Sequence, residues 1–173
     1  MYRLREIERR DIREINKWHN DKELSKNLGG TARYINSEVD DAWYERYLNA
    51  RNNAVRCAIV DEDDAIVGCV NLLNIDYVNS CAELHIMIGD SENRGKGIGA
   101  FAVNTMVNHA FYNLNLRRIQ LEVLEYNLAA QNLYKKIGFV VEGRKRQSVF
   151  KNGQYVDEII MGLLRDEYAG NNE

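Results

Sequence analysis

The sequence predicts a single α/β (α+β) domain: a mixed, mostly antiparallel central sheet of about seven strands, flanked by about four helices. Three observations predict it. Seven short stretches alternate or run apolar in the manner of strands, and stretches of helical spacing are distributed among them. The chain's 173 residues and 45% hydrophobic content suffice for one substantial core. Midway, the apolar run Leu84-His-Ile-Met-Ile-Gly89 passes through Asp-Ser-Glu-Asn and Arg94-Gly-Lys-Gly-Ile-Gly99 into a helical pattern, a strand–glycine loop–helix unit.

Tyr2 to Ile7 alternates apolar and charged residues as a strand does. Asp11 to Trp18 is a helix with Ile12, Ile15 and Trp18 on one face. Asn20 to Leu28 reads as a helical turn or loop closed by Gly29-Gly30. Ser37 is the expected N-cap of a helix running to about Asn52, with Val39, Trp43, Tyr47 and Leu48 as its buried stripe. Val55–Val60, Ala65–Ile75 and Cys81–Gly89 form a meander, turning at Asp61–Asp64 and Asp76–Ser80. Ile98 to Leu114 is the helix after the glycine loop, and Ile119 to Leu124 the next strand. Asn127 caps a helix over Leu128–Ile137, which Gly138 ends in the left-handed geometry that glycine tolerates. Phe139–Phe150 and Tyr155–Leu164 close the chain as a hairpin around Asn152-Gly153. The domain is expected over residues 1–168, with 169–173 as a flexible tail.

Glycines joining a strand to a helix N-terminus let the backbone approach an anion, and the helix offers unpaired N–H groups and the positive end of its dipole. Arg94 and Lys96 add positive charge, so a phosphorylated cofactor is the expected ligand. A P-loop is excluded, because Lys96 is followed by Gly97 rather than Ser or Thr. Gly95-x-Gly97-x-x-Ala100 with Glu122 spells a loose dinucleotide fingerprint, but helices and hairpins precede it where a first βαβ strand belongs.

The net charge of −3 disfavours non-specific nucleic-acid binding. No apolar run is long enough to span a bilayer and no signal-peptide pattern appears, so no membrane partner and a cytoplasmic location are expected. Cys57, Cys69 and Cys81 lie in strand-like stretches without zinc spacing and read as buried, reduced thiols. Asp61–Asp64 lacks the EF-hand pattern, and no metal site is expected. The sequence leaves a homo-oligomer open.

Arg94-x-x-Gly97-x-Gly99, followed in order by Asn127, Tyr134, Gly138 and Phe139, resembles the GNAT superfamily of acetyl-CoA-dependent N-acetyltransferases. Trp18-His-Asn20, Ala82-Glu83-Leu84 and Phe150-Lys-Asn-Gly-Gln-Tyr155 with Met161 resemble its RimJ/RimL branch, which includes ribosomal-protein N-terminal acetylases and bacterial spermidine acetyltransferase. The resemblance implies a GNAT fold and acetyl transfer by direct attack in a ternary complex, with acetyl-CoA as cosubstrate. Its acceptor is a primary amine on a small molecule, polyamines first, or on a protein N-terminus. Ribosomal-protein N-termini, amino sugars and a non-catalytic CoA sensor are the alternatives. An acidic region at Asn20–Glu23 and Ser37–Glu45 is available to attract a polycation.

Backbone N–H groups of Arg94, Gly95, Lys96, Gly97, Ile98, Gly99 and Ala100 are the candidates for the CoA pyrophosphate. The resemblance implies that the strand at Met87 and Ile88 splays from its neighbour to take the pantetheine arm, with an N–H near Met87 polarising the thioester. It also places Asn127 near that arm; Asn132 and Lys135 are weaker candidates. Tyr134 is the candidate general acid: a tyrosine hydroxyl, of ordinary pKa about 10, suits a departing alkyl thiolate. Glu83, His85 and Met87 share one strand face. Glu83 is the favoured base or amine anchor; His85, of the residue type that titrates nearest neutrality, and water are the alternatives.

Overall fold

A computed structural model describes residues 1–30 and 33–170. Its seven strands, β1 (Arg3–Glu6), β2 (Val55–Val60), β3 (Ile66–Asp76), β4 (Cys81–Ile88), β5 (Arg118–Leu124), β6 (Val140–Lys151) and β7 (Gln154–Leu164), form one sheet in the order β1-β2-β3-β4-β5-β7-β6. Every adjacent pair is antiparallel except β4–β5. Five α-helices accompany it among the described residues, one more than the sequence suggests: α1 (Ile12–His19), α2 (Lys22–Ser25), α3 (Ser37–Asn49), α4 (Ile98–Asn108) and α5 (Leu128–Ile137). Of the expected tail, residues 171–173 lie outside the described residues.

The period-two alternation of the strands divides the interior into two cores. On one face Val70, Leu72, Leu84, Ile119 and Leu121 meet Ala102, Val103, Met106 and Val107 of α4 and Tyr134 of α5. On the other, Ala58, Val60 and Cys69 meet Ile12, Ile15 and Trp18 of α1, Leu24 of α2, and Tyr44 and Tyr47 of α3. Partly buried Met87 packs with this second group.

Three boundaries differ from the sequence reading. Asn36, not Ser37, caps α3, its side chain accepting from the Val39 N–H at 3.1 Å. The helix therefore turns Asp40, Tyr44 and Tyr47 inward, leaving Val39 and Leu48 exposed. The α4 pattern runs into a π-helical turn over His109–Asn113, and α3 ends at Asn49 rather than near Asn52.

Two polar contacts fix α1. Arg5 makes a bidentate pair with buried Asp11, at 2.7 and 2.8 Å, and bonds Asp64 across the β2–β3 turn. Buried Asp40 accepts from Asn16 Nδ2 at 2.6 Å and contacts His19 Nδ1 at 3.0 Å, joining α1 to α3. Trp18, near the end of α1, packs against Gly89, just past the end of β4: a Cβ built there would stand 2.1 Å from the indole. Gly89→Ala should force the indole away and lower stability by roughly 1–3 kcal/mol, the usual cost of overpacking. Thermal denaturation against wild type checks this; an unchanged midpoint would contradict the contact.

Candidate active site

Parallel pairing of β4 with β5 covers only Cys81–Arg118, Ala82–Ile119 and Glu83–Gln120, although both strands continue. Beyond that point β4 keeps only its β3 partner and β5 only its β7 partner. The Gly89 N–H donates to Val67 O at 3.0 Å, so in this antiparallel ladder the hydrogen-bonded pairs are Met87–Cys69, His85–Asn71 and Glu83–Leu73. Ile86 and Ile88 therefore turn their N–H and C=O toward the gap. By the same alternation Glu125 N–H bonds Asp157 O at 3.0 Å, and Glu122 turns its peptide groups toward the gap from β5. This corrects the expectation at Met87 itself, whose amide faces β3, and leaves those of Ile88 and, on the other side, Ile86 as the N–H groups near Met87 that could polarise a carbonyl.

Glu83 stands at the apex, the last ladder residue before the strands part. Asn74, at a bulge in β3 with φ of 50°, donates Nδ2 to Glu83 Oε2 at 2.9 Å. His85 Nε2 is 3.6 Å from the same oxygen. Glu83 is partly buried, with 37% of its side chain exposed, and His85 is exposed at 54%. They occupy the α1–α3 face of the sheet, as the alternation predicts.

Tyr134 approaches from the opposite face. It is buried in α5, with its ring edge-on to Phe139 at a centroid distance of 5.8 Å. Its hydroxyl has no hydrogen bond among the described residues. Burial pushes its pKa up to about 12, which keeps the hydroxyl protonated at neutral pH. Gln131, one turn earlier, donates Nε2 to Leu124 O and Glu125 O at 3.3 and 2.8 Å, tying α5 to the end of β5. The amphipathic pattern gives no hint of this buried glutamine.

At the gap's far end a 3-10 turn over Ser91–Asn93 leads to Gly95 and Gly97, with φ of 77° and 81°. These left-handed conformations explain the glycines there. The Arg94 N–H is spent on Ser91 O, and its guanidinium folds back onto Gly89 O at 3.0 Å. The N–H groups of Gly95, Lys96 and Gly97 make no turn bond among the described residues, and Ile98, Gly99 and Ala100 form the first turn of α4. Gly99 also admits Leu133 of α5, 3.4 Å from where its Cβ would lie. These unspent N–H groups suit a pyrophosphate, and the open Ile86 and Ile88 peptides suit an extended amide-bearing arm.

Asn127 is committed within the protein: Oδ1 caps α5 at the Ala130 N–H, and Nδ2 donates to Asn27 O at 3.1 Å. Asn132 and Lys135 are exposed on α5. Tyr126 Oη donates to Lys26 O at 2.5 Å. Lys151 Nζ donates to Ser25 O at 2.9 Å and to Gly30 O. Three donors from the second half of the chain thus hold the end of α2 and the loop after it. Lys151 is buried, which lowers its pKa, although a lysine in a hairpin ordinarily reads as exposed.

The acidic N-terminal region is largely spent internally. Asp21 caps α2, Glu23 pairs with Lys26, Asp40 is buried against Asn16 and His19, and Glu45 pairs with Arg9. Strand carboxylates share the sheet face of Glu83 instead: Glu122 on β5 and Glu158 on β7. Cys57 and Cys69 are free thiols, pushed up to about 11 and 12 by burial. Among the described residues no cluster of His, Cys, Asp and Glu could hold a metal ion, and no helix is long and apolar enough to cross a membrane.

A splayed parallel pair and a glycine-started helix at its mouth accompany a family match over most of the chain: the acetyltransferase (GNAT) domain covers residues 2–140. The chain belongs to the GNAT acetyltransferase family. It is 32% identical over 171 residues to spermidine N(1)-acetyltransferase of Vibrio cholerae, covering 98% of this chain and 96% of that protein. The enzyme of the same name from Escherichia coli K12 is 29% identical, with 99% and 90% covered. The crystal structure of the Vibrio cholerae spermidine N-acetyltransferase in complex with CoA and spermine superposes with a TM-score of 0.90, at 30% identity and with 96% and 97% covered. The protein has the GNAT fold and is an acetyl-CoA-dependent N-acetyltransferase acting on an amine.

Proposed function

We propose that the acceptor is a primary amine of a polyamine, with spermidine as the first member of the class. The observation that carries this is the likeness, along nearly the whole chain, to enzymes named for spermidine. The carboxylates of Glu83, Glu122 and Glu158 on the acceptor face support it, because a polyamine presents several ammonium groups. The RimJ/RimL branch assignment rests on Trp18-His-Asn20, Ala82-Glu83-Leu84 and the Phe150–Tyr155 turn.

When bound, acetyl-CoA supplies an activated acetyl thioester. In this reading the Ile86 and Ile88 N–H groups hold and polarise the carbonyl from β4, and those of Gly95 to Ala100 hold the pyrophosphate. Glu83 anchors the amine and accepts its proton, directly or through a water shared with Asn74 and His85. Tyr134 keeps its proton until the thiolate leaves. The thiols of partly buried Cys57 and buried Cys69, both raised in pKa and so protonated, favour direct attack over an acyl-enzyme.

A thiol-release assay across an amine panel tests the acceptor. Spermidine should be turned over in preference to peptide N-termini and nucleotide-linked amino sugars; turnover restricted to hydroxyl or thiol acceptors would contradict the reading.

Tyr134→Phe keeps the packed ring and removes only the hydroxyl. It should lower kcat by about 10²–10⁴-fold while leaving acetyl-CoA affinity nearly intact. Lost affinity would make Tyr134 a cofactor anchor. Wild-type turnover at saturating acetyl-CoA would remove it from the chemistry.

A further inference from the structure

The protein supplies a cation of its own to the acceptor side of the gap. Lys145 lies on β6 opposite Glu158 of β7, and its Nζ pairs with Glu122 of β5. Glu122 is on the part of β5 that has parted from β4, two residues beyond Gln120, the ladder partner of Glu83. Alternation puts Glu83 and Glu122 on one sheet face, and the Leu124–Glu158 pairing puts Glu158 on it too.

Glu158 is 8% exposed; its Oε2 accepts from Ser148 Oγ at 2.9 Å, while Oε1 has no hydrogen bond among the described residues. Its nearest lysine in sequence, Lys151, is occupied by the loop carbonyls of Ser25 and Gly30. The Lys145 side chain is 46% exposed on an edge strand. Its pKa is raised first by the bond to Glu122, and further by the charges of Glu122, Glu158 and Glu83. One ammonium thus feels all three carboxylates beside the place where an acceptor must enter.

We infer that Lys145 Nζ occupies the position of the acceptor's second ammonium, and that a bound polyamine displaces it from Glu122. The inference rests on the polyamine reading. It makes Lys145 a specificity-determining residue: its charge competes with acceptors carrying a second ammonium and is indifferent to monoamines.

The test is steady-state kinetics at saturating acetyl-CoA, with spermidine and hexylamine as acceptors, for wild type and for Lys145→Met, Lys145→Arg and Glu122→Gln. Lys145→Met should lower KM for spermidine roughly twofold to fivefold, the reach of an exposed ion pair, without changing kcat or the KM for hexylamine. Lys145→Arg should behave as wild type, and Glu122→Gln should raise KM for spermidine alone. An unchanged or raised spermidine KM in Lys145→Met, or equal effects on the two amines, would overturn the inference and leave the polyamine reading standing. A wild-type enzyme that acetylates hexylamine but not spermidine would overturn both.

Discussion

The arrangement depends on a sheet ladder that stops early. β4 and β5 pair through three residues and then diverge, which leaves peptide groups inside a folded protein without strand partners. Such groups need hydrogen bonds from somewhere. At the end of β5 the protein provides them: Leu124 O accepts from the Asn127 N–H at 2.9 Å and from Gln131. On β4 the Ile86 and Ile88 groups are left for an extended ligand that can pair as a strand does. At the open end of the gap, Trp18 packs on Gly89 beyond β4, and Tyr126 and Asn127 beyond β5, with Lys151, bond the end of α2 and the loop after it.

Because the opening passes through the sheet, the two cores take different parts in the chemistry. The α4–α5 face carries the glycine-started helix and Tyr134, whose burial keeps its proton in place. The α1–α3 face carries Glu83 and His85, which are open to water and so able to exchange a proton with solvent. An acetyl group held in the gap would have an amine on one side and a proton donor on the other. This separation is a consequence of strand alternation: Glu83 and Leu84 are neighbours in sequence and face opposite cores.

Much of this was legible in the sequence because the signals are local. Glycines at left-handed positions, Asn127 as a cap, Gly138 as a stop and period two in the strands each follow from one residue's backbone preferences. The helix α3 was read less well, since an amphipathic stripe of Val39 and Leu48 loses to one that buries Asp40 with Asn16 and His19, and those partners are some twenty residues away. The same limit applies at the site. Tyr134 and Glu83 stand in recognisable motifs, whereas Lys151 and the Lys145–Glu122 pair are defined by contacts between separate segments, and Gln131 and Asn74 by how adjoining elements turn toward each other. Which peptide groups face the gap depends on the β3–β4 register, so the sequence could name the stretch around Met87 and Ile88 but could not separate Met87, whose amide faces β3, from Ile86 and Ile88 on either side of it.

The central claim, that the gap between β4 and β5 is the acetyl-CoA slot, is tested most directly by amide hydrogen exchange with and without CoA. Exchange should slow at Ile86 and Ile88 and from Gly95 to Ala100, and remain unchanged in β1 and β2. CoA binding that leaves the Ile86 and Ile88 amides unprotected would contradict the account.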